Sequence, residues 1–199
     1  MLTFAVAVFF LLITPGPGVL STAGVGSGFG YRAGLKYLIG LFIGTNLVAL
    51  AVVSGMAAVA LSIPVLRIVL LVASASYLVY LALRIALSGA NVAFIAARKA
   101  PGVFNGVIVQ TINPKAYAVN TALFTGFAFW PDSLLIETLI KFAVINIIWI
   151  PIHLLWLAAG VSLRKLALSG KMQFAINLVM AGSMLIVVGL AAWSQGLTF

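Results

Sequence analysis

The amino-acid sequence predicts an all-α integral membrane fold of six transmembrane helices, built as two inverted three-helix repeats whose first and fourth helices are broken by proline. Three observations predict it. Of 199 residues, 64% are hydrophobic and only 7% charged, with a mean hydropathy of +1.28, too little polar surface for a water-soluble core. Apolar runs long enough to cross a bilayer recur along the chain. Proline interruptions fall at matching places in the two halves.

Because a helix needs ~20 residues to cross ~30 Å of hydrocarbon, the runs sort into six spans near 2–26, 36–61, 64–87, 103–129, 136–162 and 173–194. Turn chemistry supports the cuts: Ser62 and Pro64 before the third span, Pro131 and Asp132 before the fifth, Ser169-Gly170 before the sixth. The first span lacks a basic leader and a small-residue cleavage pattern, so it reads as a retained helix. The longest polar interruption, Ser88 to Pro101, is too short for a separate domain. The expectation is one transmembrane domain, 1–199, with repeats at approximately 1–88 and 102–199 joined by a cytoplasmic loop, 88–101.

The formal charge is +9, but the eleven Lys and Arg stand singly at the edges of apolar runs. They therefore read as topology signals, and the expected partner is the lipid bilayer rather than nucleic acid. Arg32, Lys36, Arg84, Arg98, Lys99, Arg164, Lys165 and Lys171 fall on one side, against Arg67 and Lys141 on the other. Both termini are thus expected outside. The two acids, Asp132 and Glu137, also fall on the outer side, with Asp132 placed to cap the fifth helix. The absence of cysteine excludes disulfides and thiolate chemistry, and His153 has no second ligand at metal spacing, so neither metal nor cofactor is expected.

The breaks carry the functional expectation. Ile13-Thr14-Pro15-Gly16-Pro17-Gly18 interrupts the first span, and 99 positions later Ile112-Asn113-Pro114-Lys115-Ala116 interrupts the fourth; Thr22-Ala23 and Thr121-Ala122 match at the same offset. Three spans per half invert the second half. Thr14 and Asn113 are suited to cap a restarting helix, with Pro15 and Pro114 as first helical residues. At ~1.5 Å per residue both breaks lie near mid-depth. Two half-helix N-termini would then aim positive dipole ends at one volume and favour an anionic group, while Gly16 and Gly18 would let a ligand approach the backbone. The alternative is that these prolines only kink helices.

Lys115 costs ~2.5–3.5 kcal/mol at a helix centre on insertion scales, and no acid is expected at its depth. It could hold a substrate carboxylate, bond to carbonyls freed by the break, shed its proton, or simply fix helix packing. The expected substrate-binding set is Thr14, Pro15, Gly16, Pro17, Gly18, Asn113, Pro114 and Lys115. Asn46, Tyr77, Asn120 and Asn146 are candidates to line a path; most intramembrane polar residues, among them Tyr80, Gln110, His153 and Asn177, are expected to tie helices together. Gly40 and Gly44 form a small-xxx-small face suited to close packing or to a homodimer.

Several motifs resemble those of the LysE/RhtB superfamily of bacterial amino-acid exporters. Pro15-Gly16-Pro17 is similar to its hallmark, Gly30, Arg32, Gly34, Gly40 and Gly44 to its second region, Ser76-Tyr77-Leu78 with Tyr80-Leu81 and Arg84 to its third-helix signature, and Phe104, Gly106 and Asn113-Pro114-Lys115-Ala116 to its fourth. The resemblance implies a multi-pass carrier of the bacterial inner membrane that expels amino acids or similar metabolites by antiport against protons. Thr45-Asn46 stands where members often carry an acid, and Ala82 where a glycine is usual, which bears on proton coupling and on cationic substrates.

The leading expectation is an alternating-access exporter of small neutral amino acids. A pore for small anions fits the same positive centre, and an exporter of another metabolite or a cation follows from the resemblance. An enzyme is not expected, since no acid pair, metal cluster or nucleophile–base pairing is visible.

Overall fold

A computed structural model describes residues 1–14, 16–55, 100–130 and 132–165, with single positions between 62 and 83 and between 171 and 182. Apart from those positions, the expected spans at 64–87 and 173–194 lie outside the described residues, as do Pro15, Tyr77, Arg84, Arg98, Lys99 and Asn177. All secondary structure among the described residues is helical: α1 Leu2–Ile13, α2 Pro17–Phe29, α3 Tyr31–Val53, α4 Val103–Thr111, α5 Pro114–Thr125 and α6 Leu134–Lys165. Among the described residues, two helices, α3 and α6, are long and apolar enough to cross a membrane. The α1–α2 pair, bent by 51°, makes a third if it is one span.

The second helix departs from expectation at both ends. It begins at Tyr31 rather than near 36, because Gly30, at φ 85°, closes α2 and opens α3 as a single residue. Only glycine adopts that left-handed conformation without strain. It ends at Val53 rather than 61: Ser54 and Gly55, the latter at φ 76°, take the Leu50 and Val52 carbonyls. The fifth helix is capped by Ser133 and not Asp132, since Ser133 Oγ accepts from Ile136 N (3.3 Å) and Ser133 O from Glu137 N (3.0 Å). A hydroxyl three residues before that amide is the usual N-cap geometry.

Glycines set the tightest packing. On α3, Gly40 and Gly44 meet α4 backbone to backbone: a Cβ at Gly40 would overlap Val103 O, and one at Gly106 would overlap Tyr37 O. The α3 small-residue face is thus spent within the chain. Gly160 of α6 meets α2 in the same way, at Ala23 O, while Gly34 makes room for Leu157. Helix α1 instead packs by side chains, Phe4 and Val8 against Leu123 and Ile145.

Polarity on α6 is inverted relative to a soluble helix. Leu139, Ile147 and Leu155 are exposed, whereas Glu137, Lys141, Ile145, Trp149, His153 and Leu157 form a buried row at four-residue spacing. Such rows are the ridges by which helices pack, and in a bilayer the polar members belong inside. Glu137 and Lys141, which the sequence places on the outer side, pair with each other. The carboxylate takes Lys141 Nζ (2.7 Å), Phe129 N (2.8 Å) and Trp130 N (2.7 Å), while Lys141 also donates to Phe124 O (2.9 Å) and Phe127 O. The pair staples the end of α5 and the following turn to α6, because an ion taken from water needs every bond it can make.

Candidate functional site

The first break spans only Thr14 to Gly16, and its geometry corrects the expected cap. Two prolines two residues apart push the residue before each out of the helical region. Thr14 has ψ 127° and Gly16 ψ 176°, so the helix cannot restart until Pro17. Thr14 consequently ends α1, its hydroxyl donating back to Phe10 O (2.6 Å), and Gly16 is the N-cap of α2 with Pro17 as first helical residue. No side chain caps α2.

The second break follows expectation. Asn113 caps α5 through its side chain, which accepts from Lys115 N (3.1 Å), and Pro114 is the first helical residue. Ala116 N bonds to Asn113 O (3.0 Å), so the start of α5 largely satisfies itself. The two half-helix N-termini are therefore unequal: α5 is capped by Asn113, α2 by no side chain. Tyr117 folds back across the break, its hydroxyl donating to Thr111 O (2.7 Å).

Lys115 joins the breaks. Its Nζ donates to Thr14 O at 2.6 Å, a carbonyl from the other half of the chain. Gly16 makes this approach feasible, since a Cβ there would stand 2.8 Å from Lys115 Cδ and 3.0 Å from Nζ. The bare backbone at Gly16 thus accommodates the lysine stem. At Gly18 a Cβ would have only ordinary contacts, with Gln110 Oε1 (3.4 Å) and His153 Nε2 (3.7 Å).

Between the breaks, α3 and α6 lies a cavity with about 50 Å³ of room for the centres of water-sized molecules, several times the roughly 10–15 Å³ one water requires. Thr14, Gly16, Gly18, Asn113 and Lys115 of the expected set line it, as does Asn120. Asn46 and Asn146 do not; their amides bond reciprocally, at 3.1 and 2.9 Å, and join α3 to α6. One wall is a hydrogen-bond chain, Asn113 Nδ2 to Gln110 Oε1 (3.3 Å) and Gln110 Nε2 to Thr45 Oγ1 (2.7 Å). His153 also lines the cavity, stacked on Trp149 at 3.6 Å with Nδ1 2.9 Å from Trp149 O. The remaining walls are aliphatic, including Leu12, Val19, Val119, Leu123 and Ile145.

Of the polar and aromatic lining residues, Gln110 and His153 are expected from the sequence only to tie helices together, and Thr45 and Trp149 are not assigned to the site. Gln110 lies one helical turn before Asn113, a spacing that places side chains on a common face, and that is the signal that points to it. His153 lies at the same kind of spacing from Trp149, yet nothing in the sequence ties that pair to the breaks.

Chemically, the cavity offers a lysine ammonium, amide and hydroxyl groups, an imidazole and an apolar surround, and no carboxylate is among its described lining residues. It suits a small solute with an anionic end. Searches among curated proteins and among solved structures found no match. A family model described as LysE type translocator matches residues 9–196, nearly the whole chain.

Proposed function

We propose, from the premise that this chain belongs to the LysE type translocator family, that it is a secondary transporter exporting small neutral amino acids or related metabolites by alternating access. The observation that carries the reading is the Lys115–Thr14 bond, 2.6 Å long and 101 residues apart in sequence. It brings the one charged side chain among the cavity's described lining residues to the point where two interrupted helices meet.

In this reading the substrate carboxylate takes up Lys115 and the first amides of α2, replacing the Thr14 carbonyl as the lysine's partner. The helix dipole adds to the attraction. The arrangement we favour is six spans in two inverted repeats, with both termini outside the bacterial inner membrane. Asn46 and Asn146 support it, being bonded to each other across α3 and α6 at an offset of 100, close to the 99 between the proline motifs. Thr45, which accepts from Gln110, and Asn46 stand where the family often has an acid, so any proton coupling needs another group.

The test is reconstitution into proteoliposomes and counterflow of labelled amino acids, with and without an imposed pH gradient. Saturable exchange of neutral amino acids is expected. Unit conductance in a planar bilayer without saturable exchange would replace the carrier by a pore.

A further inference from the structure

Asn120 has one amide group committed and one open. Its Nδ2 donates to Ala116 O at 2.8 Å, while its Oδ1 is buried without a hydrogen-bond partner among the described residues, in a residue only 4% exposed. The orientation of the amide is forced, since the reverse would set oxygen against oxygen. A buried acceptor left open costs free energy, and this one belongs to a residue that lines the cavity. His153 supplies a second acceptor. A carbonyl can only accept, so the 2.9 Å contact with Trp149 O assigns the proton to Nδ1 and leaves the lone pair of the neutral ring on Nε2. Nε2 faces the start of α2, 3.7 Å from where a Gly18 Cβ would stand.

We propose that Asn120 Oδ1 and His153 Nε2 receive the ammonium group of a zwitterionic substrate, so that the site selects primary amines among small carboxylates. The assignment rests on the transport reading above and deepens it. Lys115 and Asn120 both line the cavity; five residues apart on α5, they are separated by roughly 7.5 Å along its axis and about 140° around it, so the lysine's flexible stem sets how near its ammonium comes to the Asn120 amide. An α-amino acid, whose charged ends are a few ångströms apart, would join the two with each end one charge-assisted hydrogen bond, about 2.8 Å, from the protein. The aliphatic walls accept its side chain. Two neutral acceptors can hold an ammonium without adding net charge to the membrane interior, whereas a carboxylate in their place would need its own neutralisation.

The experiment compares, in proteoliposomes of the full chain, competition of counterflow by L-alanine and L-valine with that by the matching 2-hydroxy acids. Wild type should prefer the amines by about 10- to 150-fold, the range for a hydrogen bond to a charged group. Asn120→Leu should bring the ratio to within about 3-fold by weakening the amines alone. Asn120→Gln, which keeps an amide donor and an acceptor oxygen, should retain part of the preference and so separates recognition from folding. His153→Phe, which keeps a ring over Trp149, should lower the ratio in the same sense. If Asn120→Leu leaves the ratio unchanged, or weakens amines and hydroxy acids equally, exchange continues but the assignment fails, and Oδ1 holds water or serves packing. If wild type exchanges no neutral amino acid at all, the transport reading fails and carries the assignment with it.

Discussion

Replacing Lys115 by Gln removes the ammonium that donates to Thr14 O at 2.6 Å and leaves a shorter, neutral amide. Two effects of opposite sign follow. Hydrogen bonds to charged groups contribute about 1.5–3 kcal/mol, and 1.4 kcal/mol is tenfold in affinity, so a carboxylate substrate should bind roughly 10- to 150-fold more weakly. Membrane insertion should not suffer, because a central lysine itself costs ~2.5–3.5 kcal/mol on insertion scales. The variant should therefore reach the membrane in undiminished yield while its transport collapses. Counterflow at graded substrate concentrations measures the first, and detergent-extracted yield by size-exclusion chromatography the second. Unchanged apparent affinity would remove Lys115 from substrate recognition; a loss of yield parallel to the loss of transport would make it a packing residue.

The other expectations test the surrounding geometry. Gly16→Ala puts a methyl within 2.8 Å of the Lys115 stem; the lysine must move, and transport should fall several-fold with little change in melting temperature, since backbone at ψ 176° accepts alanine. Gly40→Ala overlaps the α4 backbone at Val103 O, whereas nothing lies within 4 Å of a Cβ at Gly102. The first should lower thermal stability in detergent by about 1–3 kcal/mol and Gly102→Ala should be neutral; equal effects would refute the close α3–α4 contact. For the reciprocal amides, Asn46→Leu and Asn146→Leu should each cost roughly 0.6–1.7 kcal/mol. The double variant should cost less than their sum, because each single one strands its partner, and strict additivity would show that the pair does not form.

Much of the helical architecture was legible because apolar runs, glycines and prolines act locally. The break at 14–17 was visible, but its restart was placed at Pro15: Thr14 satisfies the side-chain preference of an N-cap, and only the backbone restriction imposed by a second proline at 17 overrides it. Asn113 carried no such conflict. The cavity was partly legible through Lys115 and the glycines. Gln110 was hinted at only by its spacing to Asn113, and His153 not at all, since an isolated polar residue in a span most often ties helices together, and which wall it faces depends on the packing of helices far apart in sequence. Glu137 and Lys141 have the spacing of a helical ion pair, but the sequence assigns them only a side of the membrane; the α5–α6 turn that encloses them is a tertiary feature.

The single-residue turn at Gly30 has a mechanical consequence. Helix α2 is tied to α3 without slack, seated on α6 at Gly160, and buried along its length from Pro17 to Ser27. In α1 only Phe4 and Val8 are buried, and both make side-chain contacts that can slide. If the proposed alternating access works at this break, α1 is the side expected to move and α2 the side that stays with the frame, and the Lys115 bond to Thr14 O holds α1 at its inner end, next to the break.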